Sequence, residues 1–189
     1  MIHYWFRLGR ILLSSLLSSP LSIDDELTLS FRVRALDCDG LKVMTASQFA
    51  IYMDFARWAL ITRNGFIRAA FRNGWAPTVG SQKIIYRKPL RRWSLFKVRV
   101  SLAGWDEKWF YHLHLFDQHG QIKAIGVTKA IAWKKGAAVA VDRVLKEIKA
   151  NREEMAPPDW ILNLFEKDHE NFKRFLDHDL NGQALIKNG

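Results

Sequence analysis

Apolar and polar residues alternate with a period that changes several times along this chain. Leu27, Leu29, Phe31 and Val33 alternate with Thr28, Ser30, Arg32 and Arg34, the period of two expected of a half-buried strand. From about Ser47 to Asn64 the period is helical, and Phe49, Tyr52, Met53, Ala56, Ala59 and Leu60 form a broad apolar stripe. Asp54 and Arg57, three residues apart on that helix, are spaced for an ion pair. Asn64-Gly65 closes the helix, a shorter one runs from Phe66 to Phe71, and Asn73-Gly74 stops it. Four strands follow, Val79 to Arg87, Leu95 to Ala103, Lys108 to Asp117 and Gln121 to Trp133, with turn residues at Gly104, Asp106-Glu107 and His119-Gly120. Connections this short imply an antiparallel sheet. Strand, long helix, short helix and four strands together predict an α+β domain whose sheet wraps around one helix.

Both ends carry additions to that domain, which the pattern places at residues 23–149. Residues 1–22 read as an amphipathic helix, with Ile2, Trp5, Phe6, Leu12, Leu13, Leu16 and Leu17 on one side and His3, Arg7, Arg10 and Ser14 on the other. Its longest uncharged stretch, Ile11 to Ile23, is shorter than the ~20 residues that span a bilayer and is interrupted by five serines and Pro20. The helix is expected either to lie in a membrane interface or to dock on its own domain or a dimer partner; the sequence leaves both open. No small-x-small cleavage site precedes Asp24, which argues against a cleaved signal. Residues 150–189 read as a helical extension after Pro157-Pro158, with Ile161, Leu164, Phe165, Phe172, Phe175 and Leu176 on one face, expected to pack on the domain or its dimer mate.

Charge narrows the partners. Residues 1–150 hold 24 Lys or Arg against 11 Asp or Glu, and the remainder 5 against 8, so the body favours an anionic partner. Nucleic acid, an anionic membrane and a phosphate-bearing group such as coenzyme A all qualify; no nucleic-acid-binding signature is present, which ranks nucleic acid last. Cys38 is the single cysteine, so no intrachain disulfide forms and a reducing cytoplasm fits, with peripheral membrane contact as an option.

Candidate chemistry gathers at Arg34-Ala35-Leu36-Asp37-Cys38-Asp39-Gly40, between the first strand and the long helix. A carboxylate there lies beside the free backbone N–H groups of a helix start, which can stabilise an oxyanion while the carboxylate acts as base or nucleophile. The arrangement suggests acyl transfer. Asp39 has an ordinary reading too, as a turn or helix-capping aspartate, and Asp37 reads as a plain turn residue. His112 and His114 share one face of a strand at a spacing that metals use, but no further ligand lies close in sequence, so a solvated strand face is expected and no metal site. Two flanking aspartates disfavour a Cys38 thiolate. Arg87, Lys88, Arg91 and Arg92, in a run joining two strands, could hold coenzyme A phosphates.

Asp37-Cys38-Asp39 followed by Phe49, Met53 and Asp54 resembles the signature of hotdog-fold acyl-CoA thioesterases of the 4-hydroxybenzoyl-CoA thioesterase type. Arg57-Trp58, Val79-Gly80-Ser81, Tyr86-Arg87 and Gly104-Trp105-Asp106-Glu107-Lys108-Trp109-Phe110-Tyr111 further resemble the hotdog proteins grouped with thioesterase superfamily member six. The resemblance covers residues 27–133. It implies a hotdog fold, Asp39 as the catalytic carboxylate, the backbone N–H of Ala46 as oxyanion donor, and sites formed between protomers of a homodimer or larger homo-oligomer. The implied activity is hydrolysis of an acyl thioester carried by coenzyme A or an acyl carrier protein, with no cofactor beyond the coenzyme A of the substrate. The alternative is a non-catalytic module that binds acyl thioesters or protein partners at a membrane surface. Where such relatives carry an asparagine, a histidine and paired asparagines, this chain has Leu41, Val43, Thr45 and Ala46, which strips polar partners from Asp39. Thr45, Ser47 and Gln48 could replace some of them, Ser47 and Gln48 as substrate contacts, although all three also suit helix capping.

Overall fold

A computed structural model of the chain describes residues 2–150 and 155–186; the chain divides into two units, with the boundary between Pro157 and Pro158. In the first unit the elements run α1 (Ile2–Leu16), β1 (Leu27–Arg32), α2 (Ala46–Arg63), α3 (Phe66–Asn73), β2 (Ala76–Tyr86), β3 (Leu95–Trp105), β4 (Phe110–Gln118), β5 (Gln121–Lys134), β6 (Ala137–Ala138) and α4 (Val141–Glu147). The antiparallel sheet has the order β1-β3-β4-β5-β2, with the short β6 beside β5. This is the predicted α+β arrangement. β2 starts earlier than its alternation suggests because Pro77 and a bulge between Val79 and Ser81 disturb the period, both tolerated on an edge strand. At the β4–β5 hairpin, His119 and Gly120 both take positive φ, 54° and 73°, the twist that a tight two-residue turn needs. β6 and α4 are too short to leave a periodic signal, and the sequence reading missed them.

Helix α2 lies against the sheet with its predicted stripe inward. Phe49, Tyr52, Met53, Ala56, Ala59 and Leu60 are buried in one core with Val98, Val100, Phe116 and Ala124. The Phe, Met, Leu and Val side chains among them each contribute about 1.5–3 kcal/mol when removed from water. Gly126 on β5 permits the close approach, since a Cβ there would overlap the end of the Met53 side chain. A second close approach occurs at Gly104, where β3 bulges with φ +139° and the main chain of Met155 and Pro157 passes over it, 2.6 Å from where a Cβ would stand. The Trp105 N–H donates to the Met155 carbonyl at 3.0 Å and fastens that crossing.

Apolar residues continue round α2 beyond the stripe, and α1 covers them. Tyr4 stacks on Phe55 with ring centres 5.2 Å apart, and Leu8, Ile11 and Leu12 join the same core. The docked face of α1 is therefore not the one its sequence pattern suggested. Arg7, assigned to the polar side, turns inward, whereas Trp5, Phe6, Leu13, Leu16 and Leu17 stay exposed. The helix has two apolar faces, and a single amphipathic projection merges them. The side chain of Ile2, assigned to the same face, lies outside the described residues.

The second unit holds α5 (Asp159–Phe165) and α6 (Asp168–Ile186), two helices where the pattern gave one, separated at Glu166-Lys167. Residues 151–154 and 187–189 of the expected extension lie outside the described residues.

Candidate active site

The segment from β1 to α2 folds back on itself and forms a small closed loop. A single 3-10 turn covers Ala35–Asp37; beyond it, the Asp39 N–H donates to the Val43 carbonyl at 3.0 Å and the Thr45 N–H to the Asp37 carbonyl at 3.0 Å. Lys42 takes a positive φ of 61° to close the bend. The loop is pinned to the segment before β3 by the Met44 N–H donating to the Leu90 carbonyl at 2.8 Å and the Arg92 N–H to the Lys42 carbonyl at 2.9 Å.

Asp39 is exposed on this loop. Its Oδ1 accepts from the backbone N–H groups of Leu41 at 2.9 Å and Val43 at 3.4 Å, an Asx turn that fixes the carboxylate. Oδ2 has no protein partner among the described residues, so one oxygen is held and the other open. Leu41 and Val43 thus contribute main-chain donors at positions where the resemblance implies polar side chains. Helix α2 begins at Ala46, and Thr45 makes no side-chain cap to it; its hydroxyl lies 3.1 Å from that of Ser47 instead. The Gln48 N–H donates to the Thr45 carbonyl at 3.1 Å, which leaves the N–H groups of Ala46 and Ser47 ahead of it without an intrahelical acceptor and without a cap from the Thr45 side chain.

Asp37 is a different kind of residue from the plain turn aspartate expected. It is buried, 3% exposed, and Oδ2 accepts from the Tyr52 hydroxyl at 2.7 Å and the Arg34 N–H at 2.8 Å, while Arg7 Nη1 donates to Oδ1 at 3.4 Å. The Arg7 guanidinium also lies 4.7 Å from the centre of the Tyr52 ring, so its charge is shared between a carboxylate and an aromatic face. Burial, then the bond to Asp37, raises the Tyr52 pKa above the usual phenol value. A groove of about 590 Å3 opens beside this cluster, lined by Tyr4, Trp5, Leu36, Gln48, Ile51 and Phe55 with Arg7, Arg34 and Asp37. Gln48 borders it; Asp39 does not.

The predicted basic residues separate into two pairs. Arg91 and Arg92 sit beside the loop, Arg91 through a bridge to Val43. Arg87 and Lys88 lie past the end of β2, both N–H groups donating to the Lys123 carbonyl. Cys38 is partly buried, and burial first, then Asp37, pushes its thiol pKa up, in keeping with a disfavoured thiolate.

His112 and His114 overturn the expectation of a solvated face. They are 6% and 0% exposed, because the face of β4 that packs inward carries Phe110, His112, His114 and Phe116 rather than Leu113 and Leu115. Alternation gave the two faces correctly but could not tell which was buried. His114 Nε2 lies 3.4 Å from the Thr128 hydroxyl, which donates to Gln82. No cluster of metal-ligating residues occurs among the described residues.

A family model for the thioesterase-like superfamily matches residues 33–163. The chain belongs to that superfamily. It is similar to Protein THEM6 of Xenopus laevis, 39% identical over 75 residues, and of Danio rerio, 36% identical over 80 residues; the matches span 40% and 42% of this chain and only 36% and 40% of those relatives. Among solved structures it is similar in fold to the YbaW probable thioesterase of Escherichia coli, with TM-score 0.61, 18% identity and coverage of 66% of this chain and 96% of that one. A gentisyl-coenzyme A thioesterase gives TM-score 0.56 at 20% identity, covering 66% of this chain and all of its own. These neighbours establish the hotdog fold, as the resemblance in the sequence implied.

Proposed function

We propose that this chain is an acyl thioester hydrolase acting on acyl-CoA, with Asp39 as general base or nucleophile. One observation carries the reading: Asp39 is held by one carboxylate oxygen and open at the other, on the loop that leads into the start of α2, where Thr45 makes no side-chain cap. A fixed carboxylate needs little reorganisation to take a proton from water or attack the thioester carbonyl. The N–H of Ala46 would donate to the carbonyl oxygen as negative charge develops there. Ser47 and Gln48, at the start of α2, are suited to touch the acyl carrier, and the Arg91–Arg92 pair to bind phosphates of coenzyme A.

Two further parts of the reading rest on exposed surfaces. β2 is an edge strand of eleven residues, long enough for a second copy to pair with it. The outer face of α1 suits peripheral membrane contact; no helix of the described residues is long and apolar enough to cross a membrane. A cytoplasmic location agrees with the single thiol.

A second reading has its own observation. Among the described residues Asp39 has only main-chain donors, with no side-chain hydrogen bond to tune it, which favours a module that binds acyl thioesters without cleaving them. A screen of acyl-CoA substrates across chain lengths, with binding measured in parallel, separates the two. Hydrolysis by the purified chain supports the enzyme; binding with no turnover at any chain length replaces it with the module.

A further inference from the structure

Between the C-terminal half of α2 and the sheet lies a cavity of about 50 Å3, distinct from the Asp39 loop. Arg57 stands eleven residues beyond Ala46 on the same helix, roughly 16 Å further along its axis. The walls are mostly apolar, with Trp58, Ile61, Phe110, Ile131 and Val144 prominent, but Arg57 and His112 both line it.

These two residues are unusually placed. Arg57 is 8% exposed and His112 6%, and Arg57 Nη1 and His112 Nδ1 are buried without a hydrogen-bond partner. Buried donors and acceptors are nearly always paired, and here the two residues that carry these unpaired groups line one space. The other guanidinium nitrogen, Nη2, donates to Asp54 Oδ1 at 2.6 Å, the i, i+3 pair legible in the sequence, so the charge of Arg57 is already balanced. Burial first, then the positive charge of Arg57, pushes the His112 pKa down to about 3, which keeps the imidazole neutral.

We propose that this cavity is a second ligand site, taking a short aliphatic group that bears a neutral oxygen, a hydroxyl or carbonyl. Arg57 donates to that oxygen; a hydroxyl can also bond His112, which in its neutral form offers a donor or an acceptor at Nδ1. A carboxylate is disfavoured, because Asp54 has used the charge of Arg57 and the anion would be buried without a counter-charge. Resting on the hydrolase reading, the natural ligand is the far end of an oxygen-bearing acyl chain whose thioester lies at Asp39. The cavity itself does not depend on hydrolysis.

Titration of the isotope-labelled full chain with butanol, followed by NMR, tests the site with no thioester present. Butanol should shift the Trp58 indole and the methyls of Ile61, Ile131 and Val144 saturably, and butyrate at equal concentration should not. His112→Leu, which replaces an unpaired buried polar group by an apolar one and should keep the fold, is expected to bind butanol about tenfold more weakly. Ile148→Phe, at the half-buried rim, should block entry and decides the matter if His112→Leu does not fold. Butanol shifts that avoid the cavity, equal binding of butyrate, or unchanged binding by the variants would each overturn the proposal, leaving the space to ordered water. Failure of acyl-CoA hydrolysis would leave this result untouched.

Discussion

Tyr52 and Asp37, fifteen residues apart, meet inside the protein through a 2.7 Å hydrogen bond from the phenol to the carboxylate. The bond ties the central helix to the loop that carries Asp39, and Arg7 brings α1 to the same point. Removing the donor leaves a buried carboxylate one partner short. Tyr52→Phe should destabilise the protein by about 1–3 kcal/mol, read as a lower midpoint in denaturant unfolding. An unchanged midpoint would show that the pair is dispensable.

Asp39→Asn keeps the Asx turn, since an amide oxygen accepts the same two N–H bonds, but removes the charge. The variant should retain its thermal midpoint and lose about 10²- to 10⁴-fold in kcat/KM on any acyl-CoA that the native chain cleaves. Equal activity would move the chemistry to another residue.

Neutral replacement of Arg91 and Arg92 should weaken coenzyme A binding and flatten its salt dependence more than replacement of Arg87 and Lys88, because only the first pair borders the Asp39 loop. Calorimetric titration of both double variants at two salt concentrations makes the comparison. Equal losses would assign the phosphates to the whole run, and no loss would remove it from the site.

Membrane contact is best tested on the exposed face of α1. Deleting the helix would also strip Arg7 from Asp37 and uncover Phe55, whereas Trp5→Ser with Phe6→Ser changes only outward side chains, 65% and 64% exposed. The native chain should float with anionic liposomes and the double variant should not. Identical flotation of both would reject this face as the contact.

The low pKa of His112 makes stability depend on acid. Its folded value of about 3 lies below the ordinary histidine value, so on acidification the unfolded chain takes up the proton first. The stabilisation is present above about pH 6.5 and is lost as pH falls from there toward 3, with a slope approaching ~1.4 kcal/mol per pH unit for each such histidine. His114, shifted the same way by burial, adds to the slope. His112→Leu should flatten the curve of unfolding free energy against pH between 6.5 and 5; parallel curves would contradict the assignment.

Strand and helix order was legible because each element from β1 to β5 is long enough to show its period. The Asp54–Arg57 pair was legible for the same reason, both partners lying on one helix. The Arg7–Asp37–Tyr52 cluster was not: it joins three elements, and no local pattern marks Asp37 as buried rather than turning. The pattern also misassigned α1, whose two apolar faces look like one in projection, and β4, where large apolar residues occupy both faces and only the curl of the sheet selects the histidine-bearing one. Asp39 is a candidate through its place before the long helix and through family resemblance; the Asx turn that holds it depends on backbone geometry that its neighbours do not announce.

The crossing at Gly104 and the contact at Gly126 impose two different kinds of sequence restriction. At Gly126 the obstacle is the tip of a methionine, so a larger residue there can be offset by trimming Met53. At Gly104 the obstacle is main chain, which no second substitution can shorten. A saturation scan should find position 126 conditionally variable and position 104 fixed whatever the background, so that drift among descendants of this chain can repack the helix against the sheet but cannot re-route the strand of polypeptide that passes over β3.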